Sequence, residues 1–188
     1  MPRLMVLIAS VRQQRVGEAV ARWFEGQAIA HGGFDVSLVD LRAVGLSLLE
    51  EPNHPRKRQY TQDATKAWSA MVDAADAFVF VMPEYNYTMP PALLNALDHL
   101  YHEWHYKPVG LVSYGGVSGG LRSAQSAKPV ITTLRMMPLP EGVTIPFVAT
   151  MIQDGEFHSN EKIDASVKTM LGELAKWTAA LSTMRGKP

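Results

Sequence analysis

The segment Ser10-Val11-Arg12-Gln13-Gln14-Arg15-Val16-Gly17 joins an apolar run to a stretch of helical spacing. At such a junction the free amides of a helix's first turn and the helix dipole favour an anion. Ser10 adds a hydroxyl donor, while Arg12 and Arg15 carry planar forks that match two phosphate oxygens in parallel. Cations in a first helical turn oppose the dipole unless an anion compensates them. No glycine precedes Gly17, so the glycine-dependent P-loop and dinucleotide fingerprints are excluded, and one phosphate fits better than a pyrophosphate.

Two further segments have the composition of ligand-binding loops. Pro83-Glu84-Tyr85-Asn86-Tyr87-Thr88-Met89-Pro90-Pro91 places two tyrosines and an asparagine between three prolines. Such a turn is stiff: Tyr85 and Tyr87 offer flat aromatic surface to a planar ring, and its amides can meet ring heteroatoms. Ser113-Tyr114-Gly115-Gly116-Val117-Ser118-Gly119-Gly120 carries four glycines, which let a backbone approach a ligand closely. Glycine also serves purely geometric ends in strand-to-helix loops, so this segment gains its weight from the company of the other two.

Other groups are read as structural. His99, His102 and His105 approach Pro108, where a helix frays, and they suit polar pairing or a subunit contact better than metal ligation, so no metal is expected. Asp40 stands where a dinucleotide fold keeps its ribose-binding acid but lacks the partner glycines. The ten methionines and Trp23, Trp68 and Trp177 fall at packing positions. No nucleophile with a base, and so no catalytic side chain, is singled out.

The three segments need strands and helices to hold them. Residues 3–9 form a buried strand and a helix runs from Val16 to a stop at Gly32-Gly33; a second strand covers 34–40 and a helix begins near Gln62. Residues 77–82 make a third strand, a helix follows from Pro90, residues 109–114 make a fourth strand, and a helix runs from Gly120 towards Met136. A fifth strand is expected at 143–149, at a sheet edge because Pro146 would remove a ladder donor. A last helix is capped by Ser159 or Asn160. Strands alternating with helices give a three-layer α/β domain over 1–188, with ligands bound beyond the carboxyl ends of the strands. The irregular piece 41–60, with its basic run Arg56-Lys57-Arg58, reads as a binding lid or as a solvated excursion.

With 188 residues, 47% apolar, the chain supports one substantial core. Eighteen basic and eighteen acidic residues give zero formal charge, which argues against nucleic acid and anionic membrane as partners. The absence of cysteine excludes disulfides, thiolate metal sites and thiol nucleophiles, and is consistent with the cytoplasm. Leu4 to Ala9 is too short for a signal-peptide core or a membrane span, so the mature chain is expected to start at or near Met1.

At Ser10-Val11-Arg12, at PEYNY (83–87) with Leu94-Asn95-Ala96-Leu97-Asp98, and at GGLRSAQ (119–125), the sequence resembles the NAD(P)H-dependent FMN reductases of flavodoxin-like fold, which include quinone and azo-compound reductases. The resemblance implies a five-stranded parallel sheet of order 2-1-3-4-5 with helices on both faces. It implies that Ser10, Arg12, Arg15, Val16 and Gly17 surround an FMN phosphate, that Pro83, Glu84, Tyr85, Asn86 and Tyr87 line the flavin ring, and that Ser113, Tyr114, Gly115 and Gly116 approach its pyrimidine side. Ala9 replaces the family's usual glycine, and Arg15 or Val16 a usual hydroxyl residue. The implied reaction takes electrons from NADPH or NADH through FMN to a small acceptor such as a quinone, an azo compound or free flavin. A flavodoxin-type electron carrier and a non-catalytic flavin-binding regulator are the alternatives; carriers are usually strongly acidic and this chain is neutral. A homodimer or homotetramer is expected, because residues 92–106, with Leu93, Leu94, Leu97, Leu100, Tyr101, Trp104 and Tyr106, carry more apolar surface than one helix face can bury.

Overall fold

Every residue of β3 (Ala77–Pro83) and β4 (Pro108–Tyr114) is buried, as is every residue of β1 (Arg3–Ile8) after Arg3. Strands apolar on both faces belong at the centre of a parallel sheet covered on both sides. In the computed structural model, which describes residues 1–185, β2 (Asp35–Asp40) flanks β1 and β5 (Met137–Ile145) flanks β4. All pairs are parallel and the order is β2-β1-β3-β4-β5, the flavodoxin-like order expected above.

The pleat sorts side chains into two cores. Leu4, Val6 and Ile8 join Val20 and Phe24 of α1 (Gly17–His31) on one face. Val167, Leu171 and Leu174 of the long carboxyl-terminal helix, Glu161–Ser182, complete that layer. Met5, Leu7, Phe78 and Phe80 point to the opposite face. There they meet α3 (Asp63–Ala74), α4 (Pro91–Asp98) and α5 (Leu121–Thr133), with the short α2 (Leu41–Val44) beside them. The carboxyl-terminal helix is α6 in this order; its cap is Asn160, whose Oδ1 accepts from the amides of Lys162 and Ile163, both at 3.1 Å. A two-stranded hairpin, β6 (Ile152–Gln153) and β7 (Glu156–Phe157), precedes it.

Three expectations need correction. The fifth strand begins at Met137, six residues earlier than expected, and ends at Ile145, so Pro146 lies just beyond it. Pro138 and Pro140 disguise its first half as a turn; it accommodates them as an edge strand whose register with β4 shifts between Val109 and Leu111. Secondly, the helix from Pro91 ends at Asp98, and a 3-10 turn at His102–Trp104 follows. Thirdly, most of the apolar surplus of residues 92–106 folds back on its own sheet, with Leu94 left exposed. Leu93, Leu97, Leu100 and Trp104 are fully buried, with the Trp104 ring 5.1 Å from Phe78 and 5.9 Å from Trp68. That removes the reason given above for assembly.

Segment 41–60 is fastened rather than loose. Asn95 grips it by accepting from the Leu49 amide at 3.0 Å and donating to the Ser47 carbonyl at 2.7 Å. Glu51 accepts from the Thr61 amide (2.7 Å), the Thr61 hydroxyl (2.8 Å) and the Gln62 amide (3.0 Å). Burial raises the Glu51 pKa, but these bonds outweigh it and hold the value at about 2. Among the described residues no helix is long and apolar enough to cross a membrane, and no group of three or more metal-ligating side chains occurs.

Candidate active site

The loops after β1, β3 and β4 meet at the carboxyl edge of the sheet, and side chains bind them to one another. The Ser10 and Tyr85 hydroxyl oxygens are 2.8 Å apart, joining the first loop to the second. Glu84 joins the second to the third. Its amide donates to the Tyr114 carbonyl at 3.1 Å, and its carboxylate accepts from the Ser118 hydroxyl (2.8 Å), the Arg122 amide (3.1 Å) and the Arg122 guanidinium (2.9 Å). Burial raises the Glu84 pKa, yet the bonds from Arg122 and Ser118 prevail and leave it below the ordinary carboxylate value.

The first loop ends at α1, where Val16 occupies the cap position and offers no side-chain acceptor to the first-turn amides. Arg12 is exposed, its guanidinium 6.0 Å from the centre of the Tyr85 ring, and it makes no ion pair among the described residues. Arg15 behaves differently. One of its amino groups bonds the Asp40 carboxylate and lies 3.5 Å from Glu18, while Nε and the other amino group are buried without a partner. Asp40 also accepts from the Arg42 amide at 2.9 Å and caps α2. Gly17 is buried where a Cβ would come within 2.2 Å of the Tyr114 hydroxyl oxygen. Tyr114 is itself buried, which raises its pKa, and neighbouring Tyr85 raises it further.

The second loop turns at Asn86 and Tyr87, both at positive φ (49° and 70°), between Tyr85 and Thr88, which exchange amide-to-carbonyl bonds of 3.0 Å. A tyrosine rarely adopts that backbone, and here it puts the Tyr87 ring in solvent, 68% exposed, with the Arg122 guanidinium 4.0 Å from its centre. Pro83 is buried at the end of β3, opposite Tyr114.

In the third loop, Ser113 is buried and donates to the Gly119 carbonyl at 3.0 Å, so it shapes the loop from beneath. The Gly115 amide is taken by the Ile145 carbonyl at 3.2 Å, whereas Gly116 is exposed with nothing within 4 Å of a Cβ position. The expected residues therefore fall into two groups. Arg12, Asn86, Tyr87 and Gly116 are exposed; the rest lie deeper, Arg15, Val16, Glu84, Tyr85 and Gly115 half-buried and Ser10, Gly17, Pro83, Ser113 and Tyr114 buried.

Arg122 and Ser118 escaped the sequence reading. A cation in the first turn of α5 opposes the helix dipole, whereas Arg12 and Arg15 precede α1, and asking which anion compensates Arg122 leads to Glu84.

A parallel sheet of this order, with three interlocked loops at its carboxyl edge, is the flavodoxin-like arrangement. The family description for NADPH-dependent FMN reductase matches residues 2–150. An NAD(P)H-dependent FMN reductase of Schizosaccharomyces pombe is 42% identical over 149 residues, covering 77% of this chain and 74% of the relative. A quinone reductase of Pseudomonas putida is 26% identical over 180 residues, covering 92% of each. The solved flavoenzyme NAD(P)H:(acceptor) oxidoreductase FerB of Paracoccus denitrificans superposes with a TM-score of 0.76 at 17% identity, over 96% of this chain and 98% of that one, and so supports the fold. The chain belongs to the NADPH-dependent FMN reductase family, a family of oxidoreductases.

Proposed function

We propose that the chain binds FMN at the carboxyl edge of its sheet and uses NADPH or NADH to reduce a small acceptor, a quinone above all. The observation that carries this reading is the first loop. It combines an unpaired exposed Arg12, an α1 terminus without a side-chain acceptor, and two buried Arg15 donors that lack a partner. This donor set fits one phosphate group.

When bound, FMN would supply hydride chemistry at its ring. The chain's own part is to bind and orient. Arg12 and the first-turn amides of α1 would hold the phosphate, with Arg15 braced by Asp40 behind them. Tyr85, fixed by Ser10, and the open backbone at Gly116 would border the ring. The exposed Tyr87 would offer its face to an aromatic acceptor or to nicotinamide. The quinone reductase among the relatives supports a quinone as acceptor.

We also propose a homodimer or larger assembly in the cytoplasm, on a different basis from residues 92–106. Val11, Leu48, Tyr87, Val117 and Phe147 are all exposed, and each lies in a loop at the carboxyl edge. A second copy covering that edge would wall the site.

The test is an absorption spectrum before and after adding NADPH, followed by NAD(P)H oxidation with benzoquinone present. A flavin spectrum with FMN as the released cofactor, bleached by NADPH and turning over with quinone, is expected. FAD as the native cofactor, or reduction without turnover, would overturn the reading; the latter would favour an electron carrier.

A further inference from the structure

The basic run Arg56-Lys57-Arg58 plays no part in the site above. It lines a cavity of about 650 Å³ at the opposite, amino edge of the sheet. Lys107, which immediately precedes β4, and Arg185, which follows α6, complete a set of five basic side chains around it, of which Lys107 has its pKa lowered to about 8 by burial. Asp73, in the last turn of α3, is the one carboxylate that lines it among the described residues. In a chain with zero formal charge this is a concentration of one sign.

We propose that this cavity is a second binding site, for a small, multiply charged phosphate compound. Three of the cations are fixed in place before any ligand arrives. Lys107 is buried, with Nζ donating to the Val72 and Asp73 carbonyls at 2.8 and 3.0 Å. Arg58 lies 3.2 Å from Asp73 and 3.5 Å from the buried Glu103, and Arg185 lies 3.1 Å from Asp76. Arg56 and Lys57 are exposed and have no acidic partner within ion-pair distance among the described residues. Arg56 is still held in position: its guanidinium stacks 4.5 Å from the centre of the Tyr101 ring, and its carbonyl meets His102 Nε2 at 2.9 Å. Two cations are thus presented without compensation on a framework that is already ordered, which lowers the cost of capturing an anion.

The lining also favours a phosphate over a simple counter-ion. His105 Nε2 is a buried atom with no hydrogen-bond partner, a donor or acceptor left for a ligand. Burial, and after it the charges of His102 and Arg135, push its pKa down to about 4, so the imidazole is neutral near pH 7. The volume falls in the range of roughly 300–1,000 Å³ typical of small-molecule sites and exceeds what one phosphate fills. Tyr106 and the imidazoles of His102 and His105 supply flat surface for an organic portion. The concave shape suits a small molecule better than the backbone of a nucleic acid.

The test uses protein saturated with FMN, so that the carboxyl-edge site is filled, titrated calorimetrically with pyrophosphate and, separately, with ADP. One-to-one saturable binding is expected, weakened about tenfold or more in Arg56→Ala/Lys57→Ala and unchanged in Lys168→Ala, which removes an exposed charge on α6. Tighter binding of ADP than of pyrophosphate identifies an organic phosphate as the ligand, and equal binding an inorganic one. The inference fails if neither probe saturates at millimolar concentration, if Arg56→Ala/Lys57→Ala binds both probes as tightly as the parent, or if Lys168→Ala weakens binding equally. It also fails if a short oligonucleotide binds and pyrophosphate does not compete with it.

Discussion

A Cβ at Gly17 would lie 2.2 Å from the Tyr114 hydroxyl oxygen and 3.1 Å from the ring carbon that bears it. Gly17→Ala should therefore destabilise the protein by about 1–3 kcal/mol, the usual cost of overpacking, and loosen FMN. Adding Tyr114→Phe removes the nearest atom, so the double variant should recover most of that loss in a urea titration; equal loss in both would place the cause elsewhere. Arg12 makes a second prediction. If it meets the phosphate, Arg12→Ala should weaken FMN binding by about 1.5–3 kcal/mol, roughly tenfold to over a hundredfold, while leaving thermal stability unchanged because its side chain holds no other element. An unaltered FMN titration would remove it from the site. At this scale the sequence exposed donor types well and their direction poorly. Arg12 and Arg15 read alike in the chain, and only the fold shows that Asp40, the end of a neighbouring strand, captures Arg15. Ser113 is similar: its hydroxyl is spent on the Gly119 carbonyl, a loop closure that composition does not reveal.

Glu84 couples β3 to the start of α5, so its charge governs how two elements sit against each other. Its pKa is depressed in the folded chain, so between the folded and ordinary values the unfolded chain binds more protons and stability rises with pH. The stabilisation from Glu84 is fully present above the ordinary value of 4.5 and is lost as the pH falls through the folded value. Glu84→Gln should therefore be less stable than the parent at pH 7, with the gap narrowing below about pH 4.5 in paired denaturant titrations. A gap independent of pH would mean that the amide loses only geometry. Most elements were legible because apolar period and stop signals agree: the runs of β1, β3 and β4, and Gly32 after α1. β5 was displaced because its prolines carry turn chemistry that an edge tolerates, and edge status is a property of the sheet. Trp104 misled for the same kind of reason. Its ring lies fully buried between α3 and β3, contacts between segments distant in the chain.

For the whole molecule, five exposed apolar side chains, Val11, Leu48, Tyr87, Val117 and Phe147, share the carboxyl edge, while Arg56 and Lys57 stand without an acidic partner at the amino edge. If a second copy covers the carboxyl edge, light scattering should give at least twice 20.7 kDa. Leu48→Glu, at a side chain 80% exposed, should reduce that mass and FMN retention without lowering thermal stability of the monomer. A monomer at micromolar concentration with full activity would show that the edge works uncovered. Trp104→Glu is a poor probe of assembly, since it would place a carboxylate in the core.

The prolines of β5 bear on how such a molecule avoids its neighbours. β5 is the outermost strand on its side of the sheet, and a bare margin of unpaired amides and carbonyls invites a strand from another molecule to continue the ladder. Pro138 and Pro140 withhold two amide donors from that margin, and the register shift beside them breaks its regular spacing. A crowded solution of this protein thus meets a blunted border along β5, one at which fibre-like growth has no template to copy.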